Sequence, residues 1–379
     1  MSESASNPDN QPLPCGGWSE QILTLADACV VPPVISALVQ PAGVLYSDGS
    51  YCPEAALWRK YRPITTEPEP PKKIKQSLEG RWLWGGVLWA HFGHFLVESS
   101  SRLWALPSVE DDIQGILFIP KRPKVGSEVR GFHRDFLALF GTDLPIHVAA
   151  QPTGVEELVV PGQGFGLGKI TEGTRRFRRS VHDRFASDIP AEGAEKIYIS
   201  RSKLGLGKGG LLGEEQLETL LEAEGYELFH PQEHSLSDQI ARYKAARQVI
   251  AADGSALHLF AMVGRPDQEV AMILRRRSGA NNLLAKHVES FCARAPLVIG
   301  GLRAEWVPSS KQKSSRLSFG ELNHQVIGEN LARSGFISET ARWKMLSEAE
   351  RDQILRDKGV GGQAGFVEAP LNKRDQVAP

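Results

Sequence analysis

Between residues 195 and 275 short β-rich runs alternate four times with helical runs. "KIYISR" reads as a strand, "EEQLETLLEAEG" as a helix stopped at Gly225, and "YELFHP" as the next strand. "SLSDQIARYKAARQ" opens with Ser and Asp capping residues and reads as a helix. "VIAADGS", "ALHLFAMVG" and "EVAMILRR" follow as strand, short helix and strand. Strands joined through helices in this way lie parallel, because each helix carries the chain back to the starting edge of the sheet. The segment therefore predicts an α/β, Rossmann-like half.

A chain of 379 residues has room for a second domain. "ILTLADACVVPPV" and "GVLYSDGSYC" read as strands, the latter turning at Asp48-Gly49, and "EPEPPKKIK" as a surface loop. "GILFIP" and "VEELVVPG" are further strands, and "VRGFHRDFLALFG" is a helix ending at Gly141. The expected division is a disordered lead-in over 1–17, an N-terminal Rossmann-like domain over 18–170 and a basic connector helix over 171–190. A C-terminal Rossmann-like domain covers 191–300. The strand "PLVIGGLRAEWVP", the helices "SFGELNHQVIGENLARSGF" and "SETARWKMLSEAERDQILRDKG" and a frayed tail fill 301–379. Basic and acidic residues number 44 and 45, which leaves no cationic excess for a general nucleic-acid binder. Cysteines 15, 29, 52 and 292 show no close pairing, against both a zinc knuckle and a disulfide scaffold. The opening residues are polar and acidic, unlike a signal peptide, and no run reaches the ~20 apolar residues of a membrane span. A cytoplasmic protein is expected, with any membrane contact peripheral, at the inner face.

Ligands of open parallel sheets bind outside the carboxyl ends of the strands. The first such loop, "SRSKLGLGKGGLLGEE", sets Arg201, Lys203 and Lys208 among glycines that let backbone approach a phosphate. Gly205, Gly207 and Gly210 also satisfy the dinucleotide spacing G-x-G-x-x-G, although five residues beyond the strand. Gly254, Ser255 and Ala256 begin a helix whose free N–H groups suit a diphosphate; Asp253 or Ser255 could equally be an ordinary cap. His230, Glu233, His234, Ser237 and Gln239 offer polar groups for a ribose or base, or simply form a loop.

"WAHFGHFLVESSSRLWAL", Trp89 to Leu106, spaces His91, His94, Glu98 and Arg102 by three, four and four residues. At ~100° per residue these fall within roughly 80° of a helix, apart from the stripe Phe92, Leu96, Ser99, Leu103 and Leu106. His-x-x-His-x-x-x-Glu could supply three metal ligands. Arg102, one turn on, would repel a cation and is expected to pair with Glu98. The expectation is a catalytic face without a metal. On it His94 would be base or phosphate contact, Glu98 would orient it or take the proton itself, and His91 and Arg102 would support them on the acceptor side; a solvated, ion-paired helix is the plainer alternative.

Three motifs over roughly 85–275 resemble glycosyltransferase family 61: "FGHFLVESSSRLWAL", "KIYISRSK" and "SLSDQIARYKAARQVIAADGSALHLFAMV". Lys208, Gly213-Glu214 and Asp253 stand where the family's pattern usually differs. The resemblance implies a GT-B-like architecture, two Rossmann-like domains facing across a cleft, with a helical C-terminal extension. It implies that the N-terminal domain serves the acceptor and the C-terminal domain the nucleotide-sugar, through Arg201, Lys208, Ser237, Gln239, Asp253, Gly254, Ser255, Ala256 and His258. It further implies an inverting, metal-independent transfer to a glycan acceptor in cell-surface polysaccharide synthesis, with the nucleotide-sugar as substrate and no cofactor. Two alternatives stay open: a dinucleotide-dependent oxidoreductase or sugar-nucleotide modifier, and a non-catalytic nucleotide-sugar-binding or scaffold protein.

Overall fold

One continuous apolar run, Gly115–Pro120, has all six residues buried. Such a strand belongs inside a parallel sheet covered on both faces. It organises the first of two compact units, Met1–Asp188 and Ile189–Pro379. The computed structural model describes residues 11–123, 128–311, 313–360 and 365–369. The first unit's main strands are β1 (Ile22–Val31), β2 (Gly43–Leu45), β3 (Gln76–Leu88), β4 (Gly115–Pro120), β5 (Ile146–Val148) and β6 (Thr153–Pro161). They lie in the order β2-β1-β6-β3-β4-β5. From β6 to β5 neighbours are parallel, whereas β1 is antiparallel to both of its neighbours. Ala42, Cys52, Ala55, Leu57 and Ile64 pack on Leu25, Val44, Trp84, Val87, Leu117 and Leu158. Helices α1 (Gly131–Ala138) and α2 (Arg175–Arg184) complete the unit. Thr174 caps α2, and Arg176 lies 4.6 Å from the ring centre of Trp104.

The second unit contains β7 (Lys196–Ile199), β8 (Gly210–Leu212), β9 (Glu227–Phe229), β10 (Gln248–Ala252), β11 (Glu269–Ile273) and β12 (Leu297–Ile299). It continues with β13 (Leu302–Pro308), β14 (Phe319–Leu322) and β15 (Phe366–Ala369). Its helices are α3 (Glu214–Ala223), α4 (Leu236–Ala245), α5 (Ser255–Val263), α6 (Ala280–Cys292), α7 (His324–Arg333) and α8 (Glu348–Asp357). β9-β7-β10-β11-β12 form an all-parallel sheet. The alternation read between 195 and 275 is present throughout. Numbered within that sheet, the order is 2-1-3-4-5, which reverses direction between β7 and β10. A second sheet, β8-β14-β13-β15, stands apart.

Several expectations give way. Residues 89–106 are not one helix: a turn at Phe92–His94 runs into a π-helical turn, Phe95–Ser99, and a 3₁₀ turn, Leu103–Ser108. Ser99, Ser100 and Ser101 donate their hydroxyls to the carbonyls of Val87, Leu96 and Glu98, competing with regular helix. The basic loop contains β8. A Cβ at Gly209 would stand 2.6 Å from the Arg316 carbonyl oxygen, so that glycine serves strand packing. "PLVIGGLRAEWVP" is two strands in different sheets, parted at Gly300-Gly301. The helix expected from Ser318 begins only after the Asn323 cap, because 319–322 pair with β8 and β13. The last expected helix shortens to α8, which starts at the Ser347–Glu350 capping box. Helix α6 has no counterpart among the expected elements. Of the lead-in, 11–17 are ordered by a Pro12–Gly17 bridge, while 1–10 lie outside the described residues. Part of the expected frayed tail is β15, paired with β13; 361–364 and 370–379 lie outside.

Candidate active site

At the carboxyl edge of the parallel sheet, β7 delivers Ser200 and Arg201, β10 delivers Asp253 and Gly254, and β11 delivers Arg275 and Arg276. The first two pairs flank the strand-order reversal, the preferred ligand crevice of such sheets. A Cβ at Gly254 would stand 2.8 Å from Arg201 Nη1. The extended backbone there admits any residue, so what the glycine provides is room for the Arg201 guanidinium to lie close. Helix α5 starts there with no side-chain cap, so neither Asp253 nor Ser255 is the ordinary cap that either could have been. Its leading N–H groups stay available beside a guanidinium.

Arg201 is held from below. Its backbone N–H donates to Glu214 Oε1 at 2.8 Å, and Tyr198 Oη donates to the same oxygen at 2.9 Å. Ser200 and Ser202 donate to Glu218 Oε1 at 2.5 and 2.7 Å. Burial raises the Glu214 carboxyl to about 7. Burial, then the charge of Arg275, lowers Arg201 to about 10. Arg201 Nε and Arg276 Nε are buried and make no hydrogen bond among the described residues. Unmatched donors of this kind suit an anionic ligand. Arg275 Nε donates to the Asp253 carbonyl at 3.0 Å and lies 2.7 Å from the Asp253 carboxylate, which burial pushes up in pKa.

The other expected donor residues are dispersed. Lys208 has an exposed side chain, and only its carbonyl approaches Arg201 Nη2, at 3.4 Å. Ser237 is exposed near the start of α4, and Gln239 is buried, donating to the carbonyls of Pro231 and His234. His258 sits one turn into α5, its Nδ1 2.7 Å from Nδ1 of His287 on α6. Ser255 and Ala256 are half-buried at the helix start. The G-x-G-x-x-G run makes no strand-turn-helix: Gly205 and Gly207 are exposed around a 3₁₀ turn, and Gly210 lies in β8.

In the first unit, Glu98 is fully buried and grips two partners. Arg59 donates to it bidentately, Nε to Oε1 at 2.7 Å and Nη2 to Oε2 at 2.6 Å. His94 Nδ1 lies 3.0 Å from Oε2. An ionised carboxylate only accepts, so this contact calls for a proton on Nδ1, which makes Nε2 the acceptor of the neutral imidazole; Arg59 Nη2 lies 3.2 Å from the same Nδ1. Burial alone would raise the Glu98 carboxyl, but the hydrogen bonds from His94 and Arg59 bring it below its ordinary value. Trp89 stacks on His94 with ring centres 4.5 Å apart, and His91 meets His94 edge-on at 5.3 Å. The expected Glu98–Arg102 ion pair is not formed. The π turn alters the helical phase, and Arg102 is buried, donating to the carbonyls of Glu54, Ala56 and Pro161. Among the described residues no three His, Cys, Asp or Glu side chains converge as metal ligands. At Glu98 a cation's place is taken by Arg59.

Arg59, Glu214, Arg275 and Arg276 were absent from the expected site. The position of "RR" directly after "EVAMIL" is a usable signal for the last two. Arg59, in the two-residue strand Trp58–Arg59 far upstream, has no local one.

Fold and site thus define an α/β protein with a cationic edge at a sheet reversal and a histidine–carboxylate pair. A comparison with known families gives its class: the family model described as Glycosyltransferase 61 matches residues 92–269, a stretch holding His94, Glu98, Arg201 and Gly254. Over that stretch the chain is similar to glycosyltransferase family 61, in agreement with the resemblance of its motifs. No curated protein matches the chain.

Proposed function

We propose that the protein is an inverting, metal-independent transferase of GT-B-like architecture. It moves a sugar from a nucleotide-sugar to a glycan acceptor in cell-surface polysaccharide synthesis. The observation that carries the reading is Arg201 lying against Gly254 at an uncapped helix start, with Arg275 and Arg276 leaving the next strand. These groups suit a diphosphate without side-chain bulk in its way. The acceptor hydroxyl attacks the sugar carbon as the bond to the diphosphate breaks, and its proton passes to His94 Nε2. Arginines and helix N–H groups hold the charge on the departing nucleoside diphosphate. Glu98 is the positioning residue, since its oxygens are committed to Arg59 and His94 and it has no exposed surface.

Nucleoside diphosphates and nucleotide-sugars are expected to raise the thermal midpoint of the wild type. With donor and acceptor present, free nucleoside diphosphate is released. His94→Ala should abolish release while keeping the nucleotide-induced stabilisation. If no nucleotide stabilises the protein, donor binding at Arg201 is wrong. Stabilisation without release across a donor panel would favour a non-catalytic binding protein.

A further inference from the structure

We propose that loop 32–39 is a membrane-contact surface that seats its apolar side chains among anionic lipid headgroups. Val34 is 85% exposed, Ile35 and Leu38 are each 50% exposed, and Tyr61 is 67% exposed. Exposed apolar residues are ordinary when scattered, but these belong to two adjacent segments. Gln40–Pro41 pairs in parallel with Thr65–Thr66, and Gln40 N–H donates to the Ile64 carbonyl at 3.0 Å. The ladder brings the end of loop 32–39 to Ile64, and Tyr61 lies three residues back, in the turn of the hairpin that pairs Trp58–Arg59 with Arg62–Pro63.

The loop is anchored by its backbone while its side chains protrude. Lys121 Nζ donates to the carbonyls of Ala37 and Leu38 at 2.9 and 2.8 Å, and Ala37 N–H donates to Gln40 Oε1 at 3.2 Å. Exposed cations neighbour these residues along the chain: Lys60 and Arg62 on either side of Tyr61, and Arg122 next to the Lys121 that anchors the loop. Glu67 and Glu69, the exposed acids of this region, follow the far end of the ladder. Protruding aliphatic and aromatic tips accompanied by Lys and Arg match an anionic bilayer surface, where burial and charge attraction add. Among the described residues no helix is long and apolar enough to cross a membrane, so the contact is interfacial. The same Lys121 Nζ lies 5.5 Å from the Trp89 ring centre, and Trp89 stacks on His94. The surface thus adjoins the acceptor-side residues, and it stands whether or not His94 takes the proton.

The test is flotation of the full chain with vesicles of phosphatidylcholine alone and of phosphatidylcholine mixed with phosphatidylglycerol. Wild type is expected to float with the anionic vesicles and to be released by salt. Val34→Asp with Ile35→Asp should lower the floated fraction by about tenfold at an unchanged thermal midpoint. A dye on Val34→Cys should shift to the blue when anionic vesicles are added. Failure of the wild type to float, or equal flotation of the double variant, overturns the proposal. So does conversion by that variant of a larger species to a smaller one on size exclusion without vesicles, which would make a second copy the occupant.

Discussion

At the scale of single residues, the proposed chemistry rests on which group holds a proton and which is held. Glu98 has no exposed surface and Arg59 closes both of its oxygens, whereas the His94 side chain is 32% exposed. A partly exposed imidazole steered by a buried carboxylate is the arrangement in which the carboxylate fixes the tautomer and the imidazole exchanges protons. Glu98→Gln keeps the volume but removes the charge that demands Nδ1–H. Transfer should then fall on the order of 10³-fold in kcat, as when a base is left in the wrong tautomer. Nucleotide-induced stabilisation should be unchanged, and the pH–rate profile should move with the substitution. Steady-state rates beside thermal shifts check this; a loss of only a few-fold would leave Glu98 a packing residue.

At the scale of elements, α3 is tied to the carboxyl edge of the parallel sheet by its first residues. Gly213 and Gly225 flank α3 with the same φ of +85°, a region that disfavours any side chain. Their surroundings differ: a Cβ at Gly213 would stand 2.8 Å from His324 Cε1, while Gly225 has open space. Gly225→Ala should cost about 1 kcal/mol and Gly213→Ala about 2–3 kcal/mol, measured by denaturant unfolding. Only Gly213→Ala should also weaken nucleotide binding, because Glu214 next to it accepts the Arg201 N–H. The alternation between Lys196 and Ile273 was legible because each strand is a short apolar run behind one polar residue, and α4 between them opens on its own capping box. Residues 89–106 were not, because three serines turn their hydroxyls onto the backbone and break a pattern that still looks helical. Strand β8 was hidden because glycines needed for packing against β14 resemble glycines needed for a phosphate. Of the site, residues named from their place at strand ends came together at Arg201 and Gly254. The Arg59–Glu98 pair spans 39 residues, and no local periodicity reports it.

Across the whole molecule, one buried group in each unit, His133 in the first and Glu214 in the second, responds to acid in the opposite sense to the other. In the first, His133 is neutral and used on both sides: Nδ1 accepts the Arg130 N–H at 3.1 Å, and Nε2 faces the Trp89 carbonyl at 3.1 Å. Burial lowers its pKa to about 4, so the stability it contributes is complete above 6.5 and is lost as pH falls toward 4. In the second, burial raises Glu214 to about 7, so its contribution is complete below its ordinary 4.5 and is lost as pH rises through 7. His287 and His324, both pushed down chiefly by burial, partly oppose Glu214 within that unit. Acidification from pH 7 to 5 should therefore lower the first unit's unfolding transition by several degrees, and the second's by less. Intrinsic fluorescence reports mainly the first unit, because Trp18, Trp58, Trp82, Trp84, Trp89 and Trp104 lie in it against Trp306 and Trp343 in the second. His133→Gln can still accept from Arg130 and donate to Trp89 but does not titrate, so its fluorescence midpoint should fall less between pH 7 and 5. An equal fall in wild type and variant would place the acid sensitivity of this unit elsewhere than at His133.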